Sequence, residues 1–287
     1  MTLADHWVTH GNRMVFCRVR DQRPKNASRP KILVVLPCYN AQRWIEPCLA
    51  ALARNAEPHD ILLVEDGGAP LERLPALDNL IHCRMESNIG LIGILNFAAR
   101  FALNEGYAFY ARQDADDFST ADRLALQLAK ADASEADLTV SGVRVVDGDG
   151  KWLWDVSGDL PADLIAALAV RNIFVHSTWF LRTSVFTKIG CYDERYVGAE
   201  DYEFLQRIAR NGTVASVTQP LVEYRVHGGS VLASSNRPAR TTARVVLRYF
   251  SFRRPASYKG LVRSMAAAIV PRNVKAAVRK RFSQSGA

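Results

Sequence analysis

A dense acidic cluster lies near the middle of the chain, where Asp114, Asp116 and Asp117 place three carboxylates within four residues. Carboxylates this close repel one another unless a cation or hydrogen-bond donors compensate their charge. Hard divalent cations such as Mg²⁺ and Mn²⁺ prefer oxygen ligands, and proteins bind them with one or two carboxylates together with substrate phosphates. A solvated turn that caps a helix beginning near Ala121 would use the same residues. The cluster alone leaves both interpretations open.

Two further acidic pairs are candidates. Glu65 and Asp66 follow an apolar run, and a carboxylate there can accept hydrogen bonds from a base or a ribose. A plain turn is the alternative, because Asp-Gly is a common turn dipeptide. Glu200 and Asp201 open a predicted helix, a position at which capping and dipole complementarity explain acidic residues without any function.

One histidine and several absences complete the chemical inventory. His227, close to Arg225, could ligate a metal or contact a phosphate, although a lone histidine is more often an ordinary surface or core residue. No GxGxxG follows a predicted strand and no GxxxxGK[ST] occurs, so the usual dinucleotide and P-loop sites are missing. The five cysteines are scattered and form no CxxC pair, which argues against a zinc–cysteine site and for a reduced compartment.

The first half of the chain supplies elements that can position these residues. Short β-branched runs predict buried strands at 32–36, 61–64, 80–85 and 107–111. Apolar residues at helical spacing predict helices at 43–54 and 91–103. This alternation indicates an α/β layered domain with a mostly parallel sheet. Ligands bind at the carboxyl ends of such strands, so the polar groups after them can converge on one crevice.

The second half is more mixed. Its predicted strands span 138–146, 152–156, 175–181 and 222–226, the first two as a hairpin. Its predicted helices span 162–170 and 200–209. Beyond Ser235, arginines recur every four residues beside an apolar stripe of Val245, Tyr249 and Phe252. These patterns predict two or three basic amphipathic helices, separated by Pro255 and Pro271.

The formal net charge of +8 is unevenly distributed. Residues 224–287 hold 14 Lys or Arg and no Asp or Glu, whereas residues 31–223 hold 17 basic and 27 acidic residues. The basic end is compatible with a solvated tail, with an anionic membrane surface or with nucleic acid.

Length and composition set the outer limits. A chain of 287 residues with 48% apolar side chains can bury a sizeable core, and its composition excludes a mainly disordered protein. No apolar run reaches the roughly 18 residues of a membrane-spanning helix. The N-terminal sequence shows no secretory signal pattern, so we expect a cytoplasmic protein.

Seven stretches, taken together and in order, resemble bacterial family 2 glycosyltransferases of the GT-A fold. They are ILVVLPCYN (32–40), LLVEDGG (62–68), NIGLIGILN (88–96), ARQDADDFSTADRLALQ (111–127), VHSTWFLRTSVFTKIGCYDE (175–194), EDYEFLQRIARNG (200–212) and YRVHGGS (224–230). The resemblance covers about 200 residues. It implies a three-layer GT-A domain over residues 30–235, preceded by an extension and linker at 1–29 and followed by a basic helical tail at 236–287.

The resemblance also implies roles for individual residues. Pro37 and Tyr39 match the loop that frames the nucleotide base. Asp66, with Glu65 beside it, matches an acid that contacts the base or the ribose. Asn88 and Gly90 match a second loop on the nucleotide side.

The remaining matches concern the diphosphate and the reaction. Asp114 and Asp116 match the DxD motif that meets the sugar nucleotide and its Mn²⁺ or Mg²⁺. Asp201 matches the catalytic base, with Glu200 as the next candidate. Arg225 and His227 match a late motif that closes over the diphosphate, the histidine as an additional metal ligand.

The implied activity is inverting, metal-dependent transfer of a sugar from a nucleotide donor to a glycan or lipid-linked acceptor. The implied setting is surface-polysaccharide synthesis (capsule, O-antigen or exopolysaccharide) at the inner face of the cytoplasmic membrane, with the basic tail on anionic lipid. Glu65 and Gly68-Ala69-Pro70 depart from the commoner Asp-Asp-Gly-Ser/Thr-Asp pattern. A nucleic-acid-binding protein would leave the seven ordered stretches unexplained, so no nucleic acid is expected. A non-catalytic scaffold is disfavoured because every acid that the mechanism needs is present.

Overall fold

The computed structural model describes residues 6–10, 13–24, 29–227 and 237–269. Its strands are β1 (His6–His10), β2 (Arg13–Asp21), β3 (Ile32–Cys38), β4 (His59–Glu65), β5 (Leu80–Met85), β6 (Phe109–Arg112), β7 (Phe118–Ser119), β8 (Leu138–Val146), β9 (Trp152–Val156), β10 (Phe180–Arg182) and β11 (Val214–Arg225). Its α-helices, numbered here in chain order, are α1 (Gln42–Ala53), α2 (Gly90–Asn104), α3 (Arg123–Ser134), α4 (Leu164–Val170), α5 (Ser184–Lys188), α6 (Glu200–Asn211), α7 (Arg237–Arg248) and α8 (Pro255–Ile269). Two short 3₁₀ helices span His176–Thr178 and Glu194–Tyr196.

One mixed sheet contains all the described strands, in the order β1-β2-β5-β4-β3-β6-β10-β8-β11-β7, with β9 on β8. The four central strands β5, β4, β3 and β6 are parallel. The runs that form β3 and β4 are apolar on both faces and are buried almost throughout, as expected for strands covered on both sides. The predicted α/β fold with a parallel centre is confirmed. The loops after β3, β4 and β6 leave the sheet at the same edge.

The chain divides into two compact units. The first contains residues 1–160, 174–192 and 207–227, and with them the sheet. The second contains residues 161–173, 193–206 and 228–287. No helix within the described ranges is long and apolar enough to cross a membrane.

The N-terminal residues contribute two strands to the sheet. β1 and β2 form a hairpin, and β2 pairs antiparallel with β5, with Cys17 opposite Met85. Val15 and Cys17 point into the core while Arg18 is exposed. This alternation with a period of two is the pattern of a strand with one buried face, but the segment is short and lies outside the family resemblance.

Two elements in the second half also differ from prediction. The run expected as a strand at 175–181 forms the 3₁₀ helix His176–Thr178 and then β10. The 3₁₀ turn directs His176 to the Tyr192 hydroxyl, 2.9 Å away, and so removes it from the sheet. β11 begins at Val214, eight residues before the predicted start, and irregularities on either side of Pro220 interrupt its pairing with β8.

The C-terminal helices α7 and α8 pack within the second unit. Val245 and Val246 of α7 are buried. The Tyr249 hydroxyl, just after α7, donates to Glu203 at 2.9 Å. α8 lies so close to α4 that a Cβ atom at Gly260 would overlap the carbonyl of Ala169. Two of the predicted basic helices are therefore observed, and the third, after Pro271, lies outside the described residues.

The Arg23 side chain, just after β2, links the N-terminal strands to the central strands of the sheet. The Arg23 guanidinium donates to the Asp60 carboxylate at 2.8 Å and to the Tyr107 hydroxyl at 2.9 Å. The Asp60 side chain is only 5% exposed. We predict that Arg23→Met lowers the free energy of unfolding by about 2–3 kcal/mol, because it leaves a buried carboxylate without its cation. Urea denaturation measures this loss.

Arg18 provides a matched control for this substitution. Its guanidinium lies 3.8 Å from Glu86 and is 71% exposed. Exposed ion pairs contribute little, so Arg18→Met should change stability by less than about 0.5 kcal/mol. Equal losses for the two variants would contradict an anchoring role for Arg23.

Candidate functional site

The loop after β4 joins the N-terminus of α2 through one carboxylate. Asp66 accepts hydrogen bonds from the backbone amides of Ile89, at 2.7 Å, and Gly90, at 2.9 Å. Asn88 donates to the Asp66 carbonyl at 3.2 Å. Gly67 has φ +68°, and a Cβ there would lie 2.9 Å from the amide nitrogen of Asn88. The structure thus brings together three of the predicted nucleotide-side residues, with Asp66 capping α2 from a distance.

The Glu65 carboxylate is bonded to two side chains of the neighbouring strand β5. It is 2% exposed, pairs with Arg84 and lies 3.0 Å from the His82 ring nitrogen. The His82 contact uses Glu65 Oε2, whereas the backbone amide of Leu71 donates to Glu65 Oε1 at 3.2 Å. Burial and the charge of Arg20 lower the pKa of His82. Both oxygens of this buried carboxylate are therefore bonded to other parts of the protein.

The loop after β3 presents the exposed part of this region. Pro37 is half-buried in β3, and Tyr39 is 56% exposed. Asn40 adopts φ +51°, and its side chain accepts a hydrogen bond from the amide of Ala69 at 3.2 Å. The loops after β3 and β4 are therefore tied to each other, with the Tyr39 ring at the surface.

In the acidic cluster, Asp114 is held from two sides. One oxygen pairs with the buried Arg112 guanidinium, and the other accepts a hydrogen bond from the Ser177 hydroxyl at 2.6 Å. Burial alone would raise the pKa of Asp114, but Arg112 and Ser177 outweigh it and hold the pKa below its ordinary value. Asp114 is consequently an ionised carboxylate with a fixed orientation.

Asp117, 1% exposed, connects three segments of the chain. Its side chain contacts the Ser177 hydroxyl and accepts a hydrogen bond, at 2.9 Å, from the backbone amide of Arg225 at the end of β11. Burial and the charges of Asp114 and Asp116 raise the pKa of Asp117 well above its ordinary value. The acidic turn therefore connects the loop after β6 to the 3₁₀ helix and to the end of β11 through Asp117. We call this connection the Asp117 joint.

A fully buried polar layer supports this joint. The Arg123 guanidinium donates to Gln113 at 2.7 Å, to Ser119 at 2.9 Å and to the carbonyl of Arg112 at 2.7 Å. The Gln113 amide donates to the Asp117 carbonyl at 2.6 Å. Burial lowers the pKa of Arg123 to about 9, so the side chain remains cationic at neutral pH.

Asp116 and His227 meet above the joint. The His227 Nε2 atom lies 2.9 Å from Asp116 Oδ2, and the side chains are 23% and 31% exposed. The Trp44 ring of α1 lies 5.7 Å from the His227 ring. The structure therefore brings together two predicted metal ligands that are 111 positions apart in the sequence.

Arg225 lies beneath this pair. Its guanidinium stacks over the rings of Trp44, at 4.9 Å, and Phe118, at 4.7 Å. It donates to the carbonyls of Asp116, at 3.2 Å, and Asp147, at 3.0 Å. The residue is only 5% exposed, and these two donors face backbone carbonyls. Arg225 holds the loops that carry Asp116 and His227.

Asp116 and His227 fit a divalent cation whose remaining ligands come from the phosphates of a bound substrate. Within the described ranges no group of three His, Cys, Asp or Glu side chains could hold a metal ion alone. Asp116 and His227 supply one carboxylate and one imidazole at the surface, whereas Asp114 is engaged with Arg112 and Ser177. Such ions commonly combine one or two protein ligands with substrate phosphates, and imidazole is a suitable ligand for several divalent metals.

Glu200 and Asp201 belong to the second unit, at the N-terminus of α6. Asp201 accepts hydrogen bonds from the Asn172 amide group at 2.8 Å and from the Tyr202 backbone amide at 2.7 Å. Glu200 is buried and accepts from the backbone amide of Gly198 at 2.6 Å. Asp201 is the more accessible of the two carboxylates.

Sequence reasoning missed most of the supporting side chains. These are Trp44, Arg84, Arg112, Arg123, Asn172 and Ser177. A charged residue directly before the acidic cluster, as in Ala-Arg-Gln-Asp, was a usable signal for Arg112, since charged residues at the end of a buried strand are usually paired. No local pattern indicates the others, because their partners are distant in sequence.

Comparison with known proteins identifies the family of the chain. A model of glycosyl transferase family 2 matches residues 33–190, more than half of the chain. An uncharacterised glycosyltransferase of Haemophilus influenzae is 25% identical over 241 residues, covering 76% of this chain and 72% of that protein. The O-antigen biosynthesis glycosyltransferase WbnJ of Escherichia coli is 22% identical over 213 residues, covering 71% and 83%.

Solved structures show the same fold. The crystal structure of S. aureus TarS 1–349 in complex with UDP-GlcNAc aligns with a TM-score of 0.60 at 18% identity, covering 83% of this chain and 72% of that one. The mannosyltransferase PcManGT of Pyrobaculum calidifontis, in complex with GDP-Man and Mn²⁺, aligns with a TM-score of 0.56 at 18% identity, covering 92% and 83%. The fold, the family match and the relatives agree, and the chain belongs to glycosyl transferase family 2 as a GT-A glycosyltransferase.

Proposed function

We propose that this protein transfers a sugar from a nucleoside-diphosphate donor to a hydroxyl of a glycan or lipid-linked acceptor, with inversion at the anomeric carbon, in the synthesis of a bacterial surface polysaccharide. The observation that carries the proposal is the pairing of Asp116 with His227 at the carboxyl edge of the parallel strands. The names of the relatives support it, since one acts in O-antigen biosynthesis and two structural neighbours bind UDP-GlcNAc and GDP-Man.

The donor nucleotide lies against the loops after β3 and β4 in this proposal. The exposed Tyr39 ring offers a face for the base, and Pro37 shapes the loop below it. Asp66 acts through the backbone, because it fixes the turn of Asn88 and Gly90. Glu65, with Arg84 and His82, keeps this loop in place without touching the donor.

Asp116 and His227 hold Mn²⁺ or Mg²⁺ in this proposal, together with the donor diphosphate. A bound divalent cation neutralises the negative charge that develops on the leaving diphosphate. Asp114 stays ionised between Arg112 and Ser177, and its fixed carboxylate orients the donor sugar by accepting hydrogen bonds from sugar hydroxyls.

Asp201 serves as the general base in this proposal. Its carboxylate is oriented by Asn172 and by the amide of Tyr202, and it takes the proton of the acceptor hydroxyl as that oxygen attacks the anomeric carbon. One direct displacement breaks the sugar–phosphate bond and inverts the centre, so no covalent enzyme intermediate forms. General base catalysis typically contributes ~10² to 10⁴ in rate.

The lipid-linked acceptor and the basic C-terminal residues both favour a location at a membrane surface. The 14 basic residues beyond residue 223, without a single acidic residue, favour the inner face of the cytoplasmic membrane, where anionic lipids attract basic segments. A lipid-linked acceptor would be available at that surface.

The metal assignment predicts a loss of cation-dependent donor binding. A donor nucleotide sugar at ~100 times its Kd should stabilise the wild-type protein by about 2.7 kcal/mol, and Mn²⁺ should be required for most of this gain. Asp116→Asn and His227→Ala should each lose most of the Mn²⁺-dependent part. A thermal-shift screen of UDP- and GDP-sugars with and without Mn²⁺ measures it.

Asp78→Asn is the charge-matched control, since Asp78 is exposed in the segment before β5. It should leave the thermal shift unchanged. If Asp116→Asn and His227→Ala retain the wild-type response to Mn²⁺, these two residues are not the ligands.

The base assignment predicts a separation of binding from turnover. Asp201→Asn should retain the thermal shift with donor and Mn²⁺ but lower kcat by roughly 10² or more, because the amide cannot accept the proton. Glu200→Gln should have a smaller effect, because Glu200 is already bound to the amide of Gly198. Turnover that survives in Asp201→Asn but is lost in Glu200→Gln would transfer the role to Glu200.

A further inference from the structure

The apolar stripe that the sequence predicts on α7 faces the protein. Val245 is fully buried, and the Tyr249 hydroxyl is bonded to Glu203 within the second unit. Only Phe252, beyond the end of α7, is exposed, at 84%. The α7 stripe is therefore used for packing and is not available to insert into a membrane.

A different set of apolar side chains is exposed on α8. Tyr258, Val262 and Met265 are 48%, 69% and 50% exposed. Their spacing of i, i+4 and i+7 places them on one side of the helix. Phe252 extends the set, because the Tyr258 hydroxyl donates to the Phe252 carbonyl at 3.3 Å. We name these four residues the α8 apolar stripe.

The buried side of α8 has the opposite character. Ser257, Gly260 and Ser264 face inward and are small. Small residues let α8 approach α4 closely, as the near overlap of Gly260 with the Ala169 carbonyl shows. A helix of a water-soluble protein normally turns its large apolar residues inward. α8 does the reverse, so packing within the described part of the unit does not account for the α8 apolar stripe.

Exposed basic side chains flank the stripe. Arg253, Lys259 and Arg263 are exposed, and no acidic residue occurs anywhere from residue 224 to residue 287. A second copy of α8 would present the same positive charges, and the two sets would repel each other. Residues 270–287 contain no acidic side chain that could neutralise these charges. An anionic partner is complementary to them, and the aliphatic Val262 and Met265 favour a lipid phase over stacked bases.

We propose that the α8 apolar stripe inserts into the headgroup region of a membrane that contains anionic lipid, with Arg253, Lys259 and Arg263 on the lipid phosphates. The inference rests on the proposed function only in that a lipid-linked acceptor would be met at this surface. The sequence predicted that the apolar stripe of α7 contacts the membrane. The proposal assigns this contact to the four side chains of the α8 apolar stripe instead.

Vesicle flotation of the full-length protein tests the inference. The probes are vesicles of phosphatidylcholine with a third of phosphatidylglycerol, and vesicles of phosphatidylcholine alone. Wild-type protein should bind the anionic vesicles and should not bind the neutral ones. Val262→Ser with Met265→Ser should weaken binding roughly tenfold through lost apolar insertion. Lys259→Gln with Arg263→Gln should weaken it roughly 30-fold at low salt.

Two controls use the same residue types elsewhere on the surface. Met14, 57% exposed on β2, and Arg18, 71% exposed, lie in the first unit. Met14→Ser and Arg18→Gln should bind vesicles as the wild type does. All α8 variants should retain the thermal shift with donor and Mn²⁺. A protein that binds vesicles through α8 but shows no transfer would refute the proposed function and leave this inference intact.

Three results would overturn the inference. The first is wild-type vesicle binding by Val262→Ser with Met265→Ser. The second is loss of binding in Lys275→Gln with Arg279→Gln while the α8 variants still bind, which would assign the contact to residues beyond 269. The third is a dimer in analytical ultracentrifugation that the α8 substitutions dissociate, or an affinity for RNA that they abolish while vesicle binding persists.

Discussion

The buried carboxylate of Asp117 is the constraint on which the arrangement of the site depends. It joins the loop after β6 to Ser177, 60 residues away, and to the backbone amide of Arg225, 108 residues away. A buried carboxyl group without such hydrogen-bond partners would be unfavourable. The fold therefore has to bring the end of β11 to the acidic cluster, and this places His227 next to Asp116.

The same cluster contains carboxylates in opposite electrostatic situations. Asp114 has the Arg112 guanidinium beside it and stays ionised, whereas burial and its two acidic neighbours raise the pKa of Asp117. Separating the charges in this way relieves the repulsion that three adjacent carboxylates would otherwise cause. Ser177 connects the two, and Gln113 and Arg123 satisfy the polar groups below. Asp116 is partly exposed, with 31% of its side chain accessible.

The second unit shows how packing decides the use of a helix. The sequences of α7 and α8 are both basic and amphipathic, yet α7 buries its valines while α8 buries two serines and a glycine. Close approach of α8 to α4 needs small residues at the contact, so the bulky apolar residues of α8 have to lie on the other side. Helical periodicity alone does not distinguish these two outcomes, since it reports a face and not its partner.

The sequence by itself determined the family, the parallel centre of the sheet and the acidic cluster. It could do so because buried parallel strands, turn residues and the seven ordered stretches are local patterns. It also named Asp116 and His227. Only the tertiary structure decided that these two meet, that Glu65 and Arg225 are bonded to other parts of the protein, and that β1 and β2 extend the sheet. Those outcomes depend on contacts between residues far apart in the chain, such as the 111 positions between Asp116 and His227. No local pattern specifies which face of an element will be covered, or by what.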